Sequence, residues 1–277
     1  MNGPECMALL QWALPGLGLR WPPFRRFRSQ VCKRIGRRLR ELGISDATGY
    51  RRHLETHPEE WKTLAALCTV SVSRFYRDRG VFDDLTARVL PDLAQAALAR
   101  GAGRLECWCA GCASGEEAYT LALLWRIALR PRYPDLDIRI LGTDIDSALL
   151  ARAQAACYKP SSLKELPAEW RAQAFEKRGA LSCLRDVFRR DVAFARQDLR
   201  SELPEGLHDL IFCRNLAFIY FEARLAKETL ERLLGRLRQG GALVVGLHDH
   251  LPACAPRLAA WPGCRATYRF ERSSISL

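Results

Sequence analysis

The chain has 277 residues, 48% hydrophobic and 27% charged, the balance of a folded globular protein and not of a small disulfide framework. Its 43 lysines and arginines outnumber 31 acids, and the net charge of +12 points to an acidic partner: nucleic acid, headgroups or a protein surface. The apolar run from Met7 to Leu19 is short, broken by Pro15 and followed by arginines, which argues against both a secretory signal and a spanning helix. The eleven cysteines are expected to be free thiols in a reducing cytoplasm.

The first region reads as helical. Phe24, Phe27, Val31, Ile35, Leu39 and Leu42 recur at three- and four-residue steps, an apolar stripe. Arg25, Arg26, Arg28, Lys33, Arg34, Arg37, Arg38 and Arg40 fill the other faces, with no acid between Arg20 and Glu41. Gly43 is a stop, Asp46 a cap for a helix carrying Tyr50 and Leu54, and Trp61, Leu64 and Leu67 mark a third helix. The expectation is a basic all-α domain over residues 1–78, with a linker helix (Phe82 to Leu98) reaching about residue 100.

From residue 101 to 277 the pattern alternates. Strand-like runs are Arg104–Cys109, Ile138–Thr143, Val192–Gln197, Asp209–Cys213 and Ala242–Leu247, with a last edge strand at Ala266–Phe270. Helical patterns fall at Glu116–Leu129, Ser147–Ala156 and Glu222–Leu237, the last stopped by Gly240-Gly241. Such alternation predicts an α/β fold with a mainly parallel sheet. About residues 158–192, with a short helix from Leu163 to Phe175, break the rhythm and read as an inserted subdomain.

Four features fall at strand ends, where α/β sheets bind nucleosides. Cys109-Ala110-Gly111-Cys112-Ala113-Ser114-Gly115-Glu116-Glu117 is a strand, a small-residue turn and a helix start; Gly111 and Gly115 permit unusual backbone angles and close approach. Asp144, in Gly142-Thr143-Asp144-Ile145-Asp146, is placed to accept from ribose hydroxyls. Gln197-Asp198 suits an adenine amino group, and Phe212-Cys213-Arg214-Asn215 runs into a loop ahead of Tyr220-Phe221. The loop is not G-x-G-x-x-G, and Asp144 lies farther on than the roughly 20 residues of a dinucleotide fingerprint, which disfavours NAD. Cys107, Cys109 and Cys112 lie on a buried strand and turn with no second ligand pair, and His248-x-His250 lacks a third partner, so no metal is expected.

Together with Ser73-Arg74-Phe75-Tyr76-Arg77-Asp78, these segments resemble the CheR family of S-adenosylmethionine-dependent methyltransferases, which esterify glutamates on bacterial chemoreceptors. The likeness runs in order from about Arg25 to Arg269. It implies a Rossmann-like class I S-adenosylmethionine-dependent methyltransferase fold with a small all-α N-terminal domain and an inserted small β-subdomain. By the same resemblance Ser71, Ser73, Arg77, Gly111, Glu117, Asp144, Asp198, Leu199, Arg214 and Asn215 line the site of S-adenosylmethionine and its product S-adenosylhomocysteine. Arg77 and Tyr220 would lie near the transferred methyl, and the partner would be an acidic protein, the cytoplasmic helices of a chemoreceptor.

The sequence also departs from the family. Ser71 stands for an asparagine, Ala118 for a proline, and Gly246-Leu247-His248-Asp249 for Gly-His-Ser-Glu, and the segment from Arg214-Asn215 to Ile219-Tyr220-Phe221 is one residue longer. Two other readings stand beside the first. One keeps the enzyme but gives it a non-chemotaxis protein or a small molecule as acceptor. The other is a nucleic-acid-binding module built on the basic helix, against which the intact Asp144 and glycine loop speak.

Overall fold

The computed structural model describes residues 2–69, 73–253 and 257–271. It divides into two compact units, Met1–Ser71 with Ile219–Ala226, and Val72–Phe218 with Lys227–Leu277. The segment Ile219–Ala226 thus belongs with the helical unit, although the sequence pattern runs it into the α/β region.

The first unit opens with α1 (Gly3–Gly16), absent from the helices read in the sequence. A capping box starts it: the Asn2 side chain accepts from the Glu5 amide, and the Glu5 carboxylate accepts from the Asn2 amide. Pro15 lies in its last turn, and Cys6, Leu9, Leu10, Ala13 and Leu14 are buried. In α2 (Arg28–Glu41) the buried residues are Val31, Ile35 and Leu39, a one-sided stripe at four-residue steps. Phe24 and Phe27 precede this helix; Phe24 sits in a 3₁₀ turn, Pro22–Arg26, which shortens the stripe expected from the sequence. Asp46 caps α3 (Ala47–Thr56) by accepting from the Gly49 amide at 2.8 Å. Tyr50 and Leu54 of α3 meet Leu64 and Cys68 of α4 (Glu60–Cys68) in one core with α1 and α2.

Free thiols are not the rule for every cysteine. Cys6 and Cys32 form a disulfide, as do Cys157 and Cys183, whereas Cys68, Cys107, Cys109, Cys112, Cys213 and Cys264 are free. Both pairs are 26 residues apart in sequence, and only folding brings their Cα atoms to 5.9 and 4.0 Å.

In the second unit α5 (Arg79–Asp84) continues through a wider π-helical turn, Leu85–Val89, into α6 (Leu90–Ala99). Pro91, which has no amide hydrogen to give the preceding turn, stands two residues past the end of the wide turn. The main strands are β1 (Arg104–Ala110), β2 (Asp137–Asp144), β6 (Val192–Arg196), β7 (His208–Cys213), β8 (Leu237–Val245), β9 (Leu258–Ala260) and β10 (Thr267–Phe270). They form one seven-stranded sheet in the order β6-β2-β1-β7-β8-β10-β9. The first five run parallel; β10 is antiparallel to both neighbours. β7 is buried at every position and β1 at five of seven, the burial expected of central strands covered on both faces.

Helices α7 (Glu116–Leu123, continued by a π turn to Leu129) and α8 (Ser147–Ala155) follow β1 and β2. The inserted segment holds β3 (Cys157–Tyr158), α9 (Ala168–Ala174), β4 (Phe175–Arg178) and β5 (Leu181–Leu184), and its strands form an antiparallel sheet in the order β3-β5-β4. After β7 come α10 (Ala217–Tyr220) and α11 (Ala223–Gly235). Gly240-Gly241 does not stop a helix: α11 has already ended, and both glycines lie inside β8, opposite a register irregularity in β7. Among the described residues no helix is long and apolar enough to cross a membrane.

Candidate cofactor site

β6, β2, β1 and β7 are adjacent and parallel, so the residues that follow them share one edge of the sheet. From β1 the chain goes first to β2 on one side and later to β7 on the other, which opens a crevice at their carboxyl ends.

The turn after β1 is built from unusual backbone. Gly111 (φ 75°), Ala113 (φ 49°) and Gly115 (φ 86°) all take left-handed conformations. The amides of Gly111 and Cys112 donate to the Thr143 carbonyl at 2.8 and 2.9 Å, binding the turn to β2. A Cβ on Gly115 would lie 2.9 Å from Ala153 Cβ and Phe194 Cζ, and one on Gly111 would lie 2.4 Å from Leu216 Cδ2. The room at both glycines is therefore used by the protein's own side chains. Cys107, Cys109 and Cys112 are buried here, and burial raises their thiols well above the ordinary range.

Asp144 ends β2 beside this turn. Its Oδ2 accepts from the Ala113 amide at 2.8 Å and its Oδ1 from the Asp146 amide at 3.0 Å. Burial pushes its carboxyl up, and those two amides pull against the rise. Each carboxylate oxygen has two lone pairs, so both keep capacity for a pair of hydroxyls. Beyond β6, the Gln197 amide donates to the Asp144 carbonyl, and Gln197 Oε1 is buried with no hydrogen-bond partner among the described residues. Asp198 pairs with Arg200 at 2.8 Å; burial works to raise its carboxyl, but the bonds from Arg200 outweigh it and hold it low. Leu199 is buried, and its carbonyl accepts from Arg232.

After β7, Arg214 is the hub. Its side chain is 3% exposed and donates to Glu117 at 3.0 Å, to Asp78 at 2.8 Å and to the Arg77 carbonyl at 2.9 Å. The guanidinium also faces the Phe82 ring at 5.2 Å. Burial raises the Glu117 carboxyl, opposed by the charge and hydrogen bond of Arg214. Arg77 is half-buried between Tyr76 and Asp78, whose φ values of 58° and 61° are strained for such residues. Tyr76 is fastened by its amide to Thr120 Oγ1 and by its hydroxyl to Asp83. Including Ala113 and Asn215 (φ 54°), four of the six left-handed non-glycine residues described stand in this one site, the clustering that functional sites show.

The structure therefore joins Arg77, Glu117 and Arg214 in one hydrogen-bonded group and sets Gly111 beside Asp144 at the neighbouring turn, with Asn215, Asp198 and Leu199 on adjoining strand ends. Ser73 is half-buried at the start of the Arg77 turn, and Ser71 lies outside the described residues. Tyr220 belongs to the first unit, where its ring meets Phe24 edge-on at 5.3 Å and its carbonyl accepts from the Arg20 amide. Sequence reasoning missed Asp78, Leu216 and Asp249. Asp249 had a signal, an acid just past a strand end.

Glycine turn, acid-tipped second strand and the buried Gln197 Oε1 and Arg214 Nε, neither with a hydrogen-bond partner among the described residues, suit a nucleoside with a vicinal diol, an amino-bearing base and a charged tail. With this strand order they define a class I S-adenosylmethionine-dependent methyltransferase. The CheR methyltransferase SAM binding domain matches residues 71–261, and the CheR methyltransferase all-alpha domain matches residues 28–67. The chain belongs to the CheR methyltransferase family, and its cofactor is S-adenosylmethionine. It is similar to a chemotaxis protein methyltransferase of Listeria monocytogenes, 34% identical over 195 residues, covering 70% of this chain and 71% of that one. A probable chemotaxis protein methyltransferase of Rhizobium etli is 33% identical over 257 residues, covering 89% and 93%. The chemotaxis protein methyltransferase of Escherichia coli is 30% identical over 228 residues, covering 79% and 75%.

Proposed function

We propose that the protein methylates glutamate side-chain carboxylates on the cytoplasmic helices of a chemoreceptor-like protein, working in the cytoplasm. The observation that carries this reading is the Arg214 knot, which fixes the Arg77 turn at the sheet edge where Asp144 and the glycine turn stand. The names of the relatives support the substrate class. So do Arg25, Arg26, Arg28, Lys33, Arg37 and Arg40, all exposed on or just before α2, a face suited to steering an acidic partner.

When bound, the cofactor supplies an electrophilic methyl group on a sulfonium. A glutamate acceptor, with a reference pKa of about 4.3, is already ionised near neutral pH, so the protein need not remove a proton. Its work is orientation in a pocket closed to water, which can supply roughly 7–11 kcal/mol of the barrier. In this reading Ser71, Ser73, Arg77, Gly111, Glu117, Asp144, Asp198, Leu199, Arg214 and Asn215 hold the cofactor. Asp78 and Glu117 neutralise Arg214, Arg77 orients the acceptor carboxylate, and Tyr220 gives a hydrogen bond near the sulfonium or the acceptor oxygen.

The longer segment after Asn215, whose Leu216 covers Gly111, favours as a second reading the same enzyme with a different acceptor. Labelled methyl transfer to a receptor cytoplasmic fragment separates the two. Alkali-labile label on glutamate is expected. Label that survives alkali, or appears only on other molecules of a lysate, overturns the first reading in favour of the second.

A further inference from the structure

The β7–β8 ladder ends at the pair Cys213↔Val245, and past it both chains turn away. The next amides would lose their partners there, but a single oxygen takes two of them. Asp249 Oδ2 accepts from the Asn215 amide at 2.9 Å and from the Gly246 amide at 2.8 Å. Asp249 is itself fixed by a tight turn, its amide donating to the Gly246 carbonyl at 3.0 Å. The other oxygen, Oδ1, is buried with no hydrogen-bond partner among the described residues.

Gly246 completes the arrangement. A Cβ there would lie 2.5 Å from Asn215 Nδ2 and 3.0 Å from the Asn215 amide nitrogen, so any larger residue must push Asn215 aside. Asn215 is left-handed at φ 54°, a conformation asparagine tolerates but one that needs support.

We propose that Asp249, bridging the amides of Gly246 and Asn215, is the positioning residue that holds the Arg214–Asn215 turn in its cofactor-binding shape. This rests on the reading of Arg214 and Asn215 as cofactor residues. The carboxylate extends the sheet's hydrogen bonding one step past the last strand pair, and so ties the Asn215 side of the turn to the end of β8.

The test is S-adenosylhomocysteine binding to the full chain by calorimetry, read as both Kd and stoichiometry. Asp249→Ala removes the clamp and Gly246→Ala displaces Asn215, so each is expected to raise Kd at least tenfold. Asp249→Asn can turn its amide oxygen to both amides and should stay within threefold of wild type. A loss of folded protein alone would lower the stoichiometry and leave Kd unchanged. If Asp249→Ala does not fold, Gly246→Ala against Asp249→Asn decides. Wild-type Kd in Asp249→Ala, or in Gly246→Ala where Asp249→Ala does not fold, overturns this proposal alone. Asp249→Asn as weak as Asp249→Ala overturns it too. Failure of the wild-type chain to bind overturns the cofactor reading beneath it.

Discussion

Arg214 and Glu117 stand 97 residues apart in the chain and meet as a buried pair, guanidinium to carboxylate at 3.0 Å. Asp78 joins from a third segment at 2.8 Å. One arginine thus holds the start of α7, the end of β7 and the Arg77 turn in register, and its removal leaves two carboxylates without their cation. Breaking a buried pair from one side costs about 3–5 kcal/mol. Arg214→Met should therefore lower the unfolding free energy by that order in urea denaturation and also abolish S-adenosylhomocysteine binding. A variant as stable as wild type would show that the pair contributes little.

Asp144 serves the turn and the proposed ribose at once. In Asp144→Asn one oxygen becomes an amide donor facing a backbone amide, Ala113 or Asp146, while the negative charge is lost. Hydrogen bonds to charged groups contribute about 1.5–3 kcal/mol each, so S-adenosylhomocysteine affinity should fall roughly ten- to a hundredfold. Calorimetry measures this directly. An unchanged Kd would remove Asp144 from the cofactor site.

In the helical unit, Glu60 is buried among α2, α3 and α4. Arg38 reaches it through Nε at 2.9 Å and Nη2 at 2.7 Å, and the Tyr50 hydroxyl donates to it at 2.8 Å. The Arg38 hydrogen bonds pull its carboxyl below the ordinary 4.5, against burial and with help from Tyr50. A carboxyl depressed in the fold stabilises above its unfolded pKa, and that contribution is lost as pH falls through the folded value. Glu60→Gln should cost about 2 kcal/mol at pH 7 and flatten the loss of stability below pH 4.5. Denaturation curves at several pH values check both. An acid limb unchanged by the substitution would assign acid unfolding to other carboxylates.

How far the sequence carries depends on the range of the interaction. The α2 stripe, the Asp46 cap and the strand-end positions of the glycine turn, Asp144 and Arg214 are local patterns, and they were legible. α1 is hard to read from the sequence because Pro15 interrupts the apolar run behind its capping box, although a proline is tolerated where it stands, in the last turn. Gly240-Gly241 looked like a helix stop because glycine pairs usually are one, but the leucines ran past the true end at Gly235. β9 has three residues, too few for alternation to register. The disulfides, the partners of Arg214 and the Asp249 clamp on Asn215 join segments separated by 26 to 137 residues, and no local spacing encodes them.

His208 gives the last prediction, at the opposite end of β7 from Arg214. Its ring is 5% exposed, 5.6 Å from Trp108, and neither nitrogen has a hydrogen-bond partner among the described residues. Burial lowers its pKa from 6.5 to about 4; Glu106 opposes the shift, and Arg238, Arg236 and Arg139 add to it. The folded state keeps the ring neutral while the unfolded chain takes up a proton near pH 6.5. Its contribution is therefore complete above that pH and lost as pH falls from 6.5 towards 4, a loss of about 3 kcal/mol over the window. His208→Leu should match or exceed wild-type stability at pH 7, since it buries no unpaired nitrogen. Its stability should also decline less between pH 6.5 and 4, which thermal melts across that range measure. A melt that falls with pH as steeply as wild type would mean that His208 gains its proton without leaving the fold.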